Sequence, residues 1–171
     1  HLGDQYSDAM IIYETSDDRL REQQVADAVE RAWELRLLRL PRLSEAGDYI
    51  AVMEGKVFAL VEIKRRNVDH NHYDTYMIAT RKINLLLDTA NSLRLEAVVV
   101  VEFTDGTYWV NAHELSRMPT RQGGRYDRPE ETTSVESTYH LPHKDLRRLD
   151  DERPATGVED GDGQGVVGGI Q

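Results

Sequence analysis

The sequence predicts a mixed α/β domain in the order helix, three strands, helix, strand, followed by a β-rich extension. The signals are an amphipathic run without Gly or Pro near the N-terminus, two apolar runs joined by Glu-Gly, and an unbroken apolar run that follows a second helical stripe.

Residues 17–37 open with Asp17 and Asp18, which suit the positive end of a helix dipole. At about 100° per residue, Val25, Ala26, Val29, Ala32 and Trp33 fall on one side. Glu22 points the same way, near the middle of that apolar face, while Glu30 lies about 80° off on its shoulder. An acid on a core-facing stripe calls for a reason. "LRLLRLP" (35–41) alternates Leu with Arg and stops at Pro41, as a short strand does. "DYIAVMEG" and "KVFALVEIK" read as a hairpin. On its second strand, alternation puts Phe58, Leu60, Glu62 and Lys64 on one face and Val57, Ala59, Val61 and Ile63 on the other. Both faces are apolar until the last residues, the pattern of a strand covered on both sides.

The polar loop "RRNVDHNH" leads to a predicted helix over about 73–90, with Tyr76, Ala79, Ile83, Leu86, Leu87 and Ala90 inward and Lys82 on the edge of the stripe. "LEAVVVVEF" (95–103) reads as a buried strand, "TDGT" as a turn and "YWVN" as a returning strand. Beyond residue 112 the Gly and Pro of "RQGGRYDRPEE" mark a loop, and "VESTYHL" reads as a last strand. The domain therefore spans 17–149. Residues 150–171, acidic, Gly-rich and without an aromatic, read as a disordered tail.

A chain of 171 residues suits one domain with a real core. It has neither an apolar stretch of about 20 residues nor a secretory layout at its start, so the expectation is a soluble, intracellular, cytoplasmic protein. With no cysteine, a metal would sit on oxygen or imidazole ligands, which favours hard cations such as Mg²⁺ or Mn²⁺. The net charge of −10 argues against nonspecific coating of nucleic acid, yet −5 of it lies in the tail. Bases in the body cluster: Lys64, Arg65 and Arg66 run together, Arg81 adjoins Lys82, and Arg36, Arg39 and Arg42 alternate with apolar residues.

Asp48 begins one strand of the hairpin and Glu62 ends the other, so antiparallel pairing brings both acids to one end of the sheet. Lys64, two residues on, shares the face of Glu62. Converging carboxylates repel each other and become tolerable with a divalent cation between them, to which the Ile63 carbonyl can add an oxygen. Lys64 would position or deprotonate a water, or stabilise charge on phosphate oxygens. Taken alone, a Glu-x-Lys is an ordinary solvated strand end. The partner acid Asp48 and the inward-facing Glu22 favour a site. The basic set Lys64, Arg65, Arg66, Arg81 and Lys82 around it suits a phosphate backbone. Other motifs read more plainly: "HNH" (70–72) as a loop, His113, His140 and His143 as scattered, Arg125 and Arg128 as part of an exposed turn, and Trp33 and Trp109 as core.

The element order and the "GD…VEIK" pair resemble the PD-(D/E)XK nuclease superfamily, also called restriction-endonuclease-like, over residues 17–110. The resemblance implies an αβββαβ core and Mg²⁺-dependent (or Mn²⁺-dependent) hydrolysis of phosphodiester bonds in DNA at the open end of the second and third strands. By position it implies that Asp48 is the motif aspartate, Glu62 the second acid and Lys64 the motif lysine. It further implies metal on Glu22, Asp48, Glu62 and the Ile63 carbonyl, with Glu30 as the fallback for Glu22, and Lys82 as the polar residue that reaches the site from the next helix. Gly47 stands where the superfamily places proline. The compact layout looks like a phage or mobile-element nuclease, and a homodimer would serve to cut both strands. Two other classes stay open: a noncatalytic nucleic-acid-binding or assembly module on the same fold, and a protein-interaction domain. The intact Glu62-Ile63-Lys64 argues against both.

Overall fold

A computed structural model of the protein describes residues 16–41, 47–123 and 136–155. Helix α1 (Ser16–Trp33) buries Val25, Ala26, Val29 and Trp33. It ends before the expected Leu37 because Glu34 takes a left-handed conformation (φ 55°) and the Leu35 amide bonds back to the Glu30 carbonyl, a closing bond that stops the helix. The chain then enters β1 (Arg36–Arg39), fastened to the helix by the Leu37 amide donating to Glu30 Oε2 at 3.1 Å.

Strands β2 (Tyr49–Met53) and β3 (Lys56–Arg65) form the expected hairpin. Its two turn residues, Glu54 (φ 51°) and Gly55 (φ 74°), both have positive φ, the signature of a turn whose twist matches that of the paired strands. The register skips Phe58: Ala51 faces Ala59 but Val52 faces Val57. This bulge sends Phe58 to the α1 side with Ala59 and Val61, which corrects its placement on the face of Leu60 and Glu62.

Residues 73–79 are not helical, contrary to the expected helix over 73–90. Thr75–Ala79 forms strand β4, and α2 covers Thr80–Leu93. Tyr76 and Ile78 are buried while Met77 between them is exposed, a period of two, and all five residues of β4 pair with β8 (Glu136–Pro142). Strand β8 also pairs with β7 (Thr120–Gly123), so β4, β8 and β7 make a small separate sheet. Helix α2 keeps the inward stripe Ile83, Leu86, Leu87 and Ala90.

The main sheet has the order β1-β2-β3-β5-β6-β9, where β5 is Glu96–Phe103, β6 is Gly106–Asn111 and β9 is Arg147–Arg148. Strand β3 is antiparallel to β2 and parallel to β5, so the sheet is mixed. Helix α1 covers one face with Val61, Ile63, Val98 and Val100, and α2 the other with Leu60, Val99 and Val101. The short α3 (Ala112–Ser116), capped by Asn111 Oδ1 accepting from the His113 amide, extends the α2 side. Trp33 and Trp109 meet edge to face at 5.7 Å in the core, as expected.

Residues 150–155, which composition groups with the acidic tail, are tied to this core. Trp109 Nε1 donates to the Glu152 carbonyl (2.8 Å) and Arg153 Nη1 to the Trp33 carbonyl (3.4 Å). Arg42, Arg125, Arg128 and residues 156–171 lie outside the described residues. No described helix is long and apolar enough to cross a membrane.

Candidate active site

The site lies where β2 begins and β3 runs out past its pairing with β2. Main-chain bonds pin Asp48: its amide donates to the Val61 carbonyl and its carbonyl accepts from the Leu40 amide, each at 2.9 Å. Its side chain is then close enough for Oδ2 to accept the Ile63 amide at 2.8 Å. Gly47 carries the tight approach. Its φ is +127°, and a Cβ there would stand 3.2 Å from Leu86 Cδ1. A proline, fixed near φ −65°, cannot take that conformation, which accounts for the glycine at this motif position.

Glu62 is 2% exposed. Its Oε1 receives both Lys64 Nζ (3.1 Å) and Lys82 Nζ (3.2 Å), while Oε2 is buried without a hydrogen-bond partner among the described residues. Glu22 reaches the same cleft from α1, held by Arg39 Nη2 at 3.5 Å. Glu30 does not, since its carboxylate is committed to β1. Glu22, Asp48, Glu62, Ile63, Lys64 and Lys82 all line one cleft of about 320 Å³, together with Arg39.

The cleft gathers three acids, Glu22, Asp48 and Glu62, among three bases, Arg39, Lys64 and Lys82. Burial, then the Glu62 carboxylate, pushes the Asp48 carboxyl up to about 7, with the Ile63 amide bond opposing and Glu22 adding to the rise. Burial, reinforced by Glu22, also holds the Tyr49 phenol well above its usual range. An unpaired buried carboxylate oxygen costs about 1–3 kcal/mol or more. A hard divalent cation would relieve both the orphaned oxygen and the repulsion, so this all-oxygen donor set fits one. Among the described residues no three carboxylate or imidazole side chains lie close enough to enclose a metal by themselves. A cation here would take Asp48 and Glu62 and complete its shell with backbone oxygen and water.

Of the predicted basic residues, Lys64 and Lys82 enter the cleft and Arg65 does not. Arg65 points to the other face of β3 and pairs with Glu102 on β5 at 2.9 Å. Arg66 and Arg81 line a second, larger cleft of about 740 Å³, to which Lys64 and Lys82 also contribute. Arg66 Nη2 donates to the Met77 carbonyl, and the guanidinium sits 5.3 Å from the centre of the Tyr76 ring. Burial pushes the Tyr76 phenol up to about 12, with Arg66 opposing and Glu62 adding to the shift.

Two features escaped the sequence. Arg39, one of the alternating arginines, orients Glu22. His70 of the "HNH" loop is a fixed group: Nδ1 bonds Asp105 Oδ2 at 2.5 Å, and the ring stacks on Tyr108 at 4.4 Å. His113, His140 and His143 are not gathered into a metal-holding group among the described residues.

Comparison with solved structures finds similarity to the Archaeoglobus fulgidus Hjc, a Holliday junction resolvase from an archaeal hyperthermophile, at 12% identity, 72% of this chain, 95% of that chain and a TM-score of 0.49. It also finds similarity to D212, a nuclease from a fusselovirus, at 12% identity, 81% of this chain, 90% of that chain and a TM-score of 0.45. No curated protein matches the sequence. The family model described as phage putative PDDEXK endonuclease matches residues 9–149, which takes in Glu22, the Asp48–Glu62–Lys64 cleft and Lys82. The chain belongs to the phage putative PDDEXK endonuclease family.

Proposed function

We propose that the protein hydrolyses phosphodiester bonds in DNA with the help of Mg²⁺ or Mn²⁺ held by Asp48 and Glu62. The observation that carries this reading is the buried Glu62, one oxygen clamped by two lysines and the other left without a partner among the described residues, beside a carboxyl whose ionisation burial and crowding oppose. When bound, a divalent cation supplies Lewis-acid polarisation of a phosphoryl oxygen and acidifies water. The chain's own residues do the rest. Glu62 holds the Lys64 ammonium at a fixed point on the cleft wall, where it donates to an attacking water or to a nonbridging phosphate oxygen as charge builds. Lys82 offsets the buried charge of Glu62 and gives a second phosphate contact. Glu22, steadied by Arg39, would help to hold the ion. The Ile63 amide keeps Asp48 turned into the cleft.

The test is cleavage of labelled DNA and RNA structures by the purified chain with and without Mn²⁺. Metal-dependent DNA products that vanish in Asp48→Asn and in Lys64→Ala support the reading, and cleavage retained in both variants removes it. Cutting both strands of a duplex would draw on a homodimer, which sedimentation with bound DNA would reveal. A noncatalytic DNA-binding module draws support from one observation, the lack of three enclosing ligands among the described residues. It predicts salt-dependent DNA binding with no metal uptake.

A further inference from the structure

The proposed cleavage site leaves the larger cleft unexplained. It is about 740 Å³, within the range of pockets that enclose a small organic group. Lys64 and Lys82 line both clefts, so the two adjoin at the lysine pair. A phosphate held there has its neighbouring nucleotide at the mouth of the larger cleft. Arg66 and Arg81 continue the positive rim beyond the lysines.

Alongside these four cations and two acids, Asp69 and Glu136, the lining holds aromatic rings. Tyr76 and Phe103, 4% and 6% exposed, meet edge to face at 6.0 Å and form part of the lining, with the Arg66 guanidinium over the Tyr76 ring. Tyr73, 61% exposed, and the stacked His70 stand on the same wall. The Nδ1 of His70 is taken by Asp105, which leaves Nε2 as the ring nitrogen for a ligand. Cationic groups and aromatic rings lining one cleft match a nucleotide, the cations suited to its phosphate and the rings to its base. In an intact duplex the base faces are stacked and the edges paired, so no base is presented to a recess. Only an unpaired or extruded nucleotide can enter.

We infer that this cleft binds one unpaired nucleobase next to the phosphate at the Lys64–Lys82 pair, so that the protein selects DNA with a single-stranded or distorted segment over perfect duplex. The inference rests on the nuclease reading for the place of the phosphate, and its test does not depend on cleavage.

Fluorescence anisotropy of the full chain in EDTA would compare three labelled probes: a perfect duplex, the same duplex with one bulged nucleotide, and that bulge with the base removed. The base-bearing bulge is expected to bind roughly ten-fold tighter than either other probe, within the range that base–aromatic stacking supplies. Tyr73→Ala and His70→Ala are expected to bring it down to the duplex value, and Tyr73 is exposed enough for its variant to fold. Equal affinity for all three probes overturns the inference, as does an abasic bulge that binds as tightly as the base-bearing one. If no probe is cut with Mn²⁺ while the bulge preference persists, the nuclease reading falls and the base pocket stands. Cleavage without the preference removes the pocket alone.

Discussion

Replacing Asp48 by Asn is expected to stabilise the metal-free fold at alkaline pH. Asp48 rises from its ordinary 3.8 to about 7 in the folded chain because burial and the Glu62 charge oppose its ionisation. The unfolded chain therefore binds fewer protons than the native one between these values, and stability falls as pH climbs through that window. At about 1.36 kcal/mol per unit, the deficit is complete above pH 7 at about 4 kcal/mol and shrinks to about 1 kcal/mol at pH 4.5. Asn is isosteric, keeps an oxygen for the Ile63 amide, and carries no charge to repel Glu62. Urea unfolding in EDTA should thus show the variant more stable by up to about 4 kcal/mol at pH 8, with the gap nearly closed at pH 4.5. Adding Mg²⁺ at pH 8 should raise the wild-type midpoint and leave the variant's unchanged. A variant no more stable than wild type at pH 8, or a gap that does not close in acid, would refute the account of crowded carboxylates.

Other perturbations separate the roles of neighbouring residues. Glu62→Gln leaves the Lys64 and Lys82 ammoniums without their shared carboxylate, so it should abolish cleavage and cost about 1–3 kcal/mol in denaturant unfolding. Gly47→Pro, which restores the superfamily's usual residue, should fail in the opposite sense to a consensus repair: φ +127° is closed to proline, and calorimetry should show loss of about 3 kcal/mol or more. Glu22→Gln should lower Mn²⁺-dependent cleavage with little change in melting, whereas Glu30→Ala should cost about 1 kcal/mol through the lost Leu37 amide bond and leave the cleavage rate unchanged. Lys82→Ala should reduce the cleavage rate by about ten-fold or more, since one phosphate contact and the second counter-charge of Glu62 go together.

The parts of the fold legible in the sequence are those whose periodicity is long or whose punctuation is strong. Eighteen residues of α1 repeat their stripe often enough to fix its buried face, Glu-Gly marks the hairpin, and the valine run of β5 has no competing reading. From the hairpin alone follows the meeting of Asp48, Glu62 and Lys64 in one cleft, because antiparallel pairing is a geometric constraint. Strand β4 was hidden for the complementary reason. In five residues, Tyr76 and Ala79 fit a helical stripe while Tyr76 and Ile78 fit an alternating one, and the partner that decides, β8, lies about 60 residues further on. The early stop of α1 was masked because a glutamate, not a glycine, takes the left-handed position. Phe58 changed sides because a bulge has no local sequence mark. Arg65 was misplaced by counting charge in a run when alternation already set it opposite Lys64.

The pairing of β4 with β8 has a consequence for how the start of α2 is held. The helix that delivers Lys82 starts directly from β4, and among the described residues the strand partner of β4 is β8, about 60 residues further along the chain. A fragment cut after β6 would keep Asp48, Glu62, Lys64 and the seat of α2 on the main sheet, and would lose the strand that backs β4. The last third of the chain is therefore a splint for the first turn of α2, the turn that carries Lys82, while the sheet beneath carries the rest of that helix.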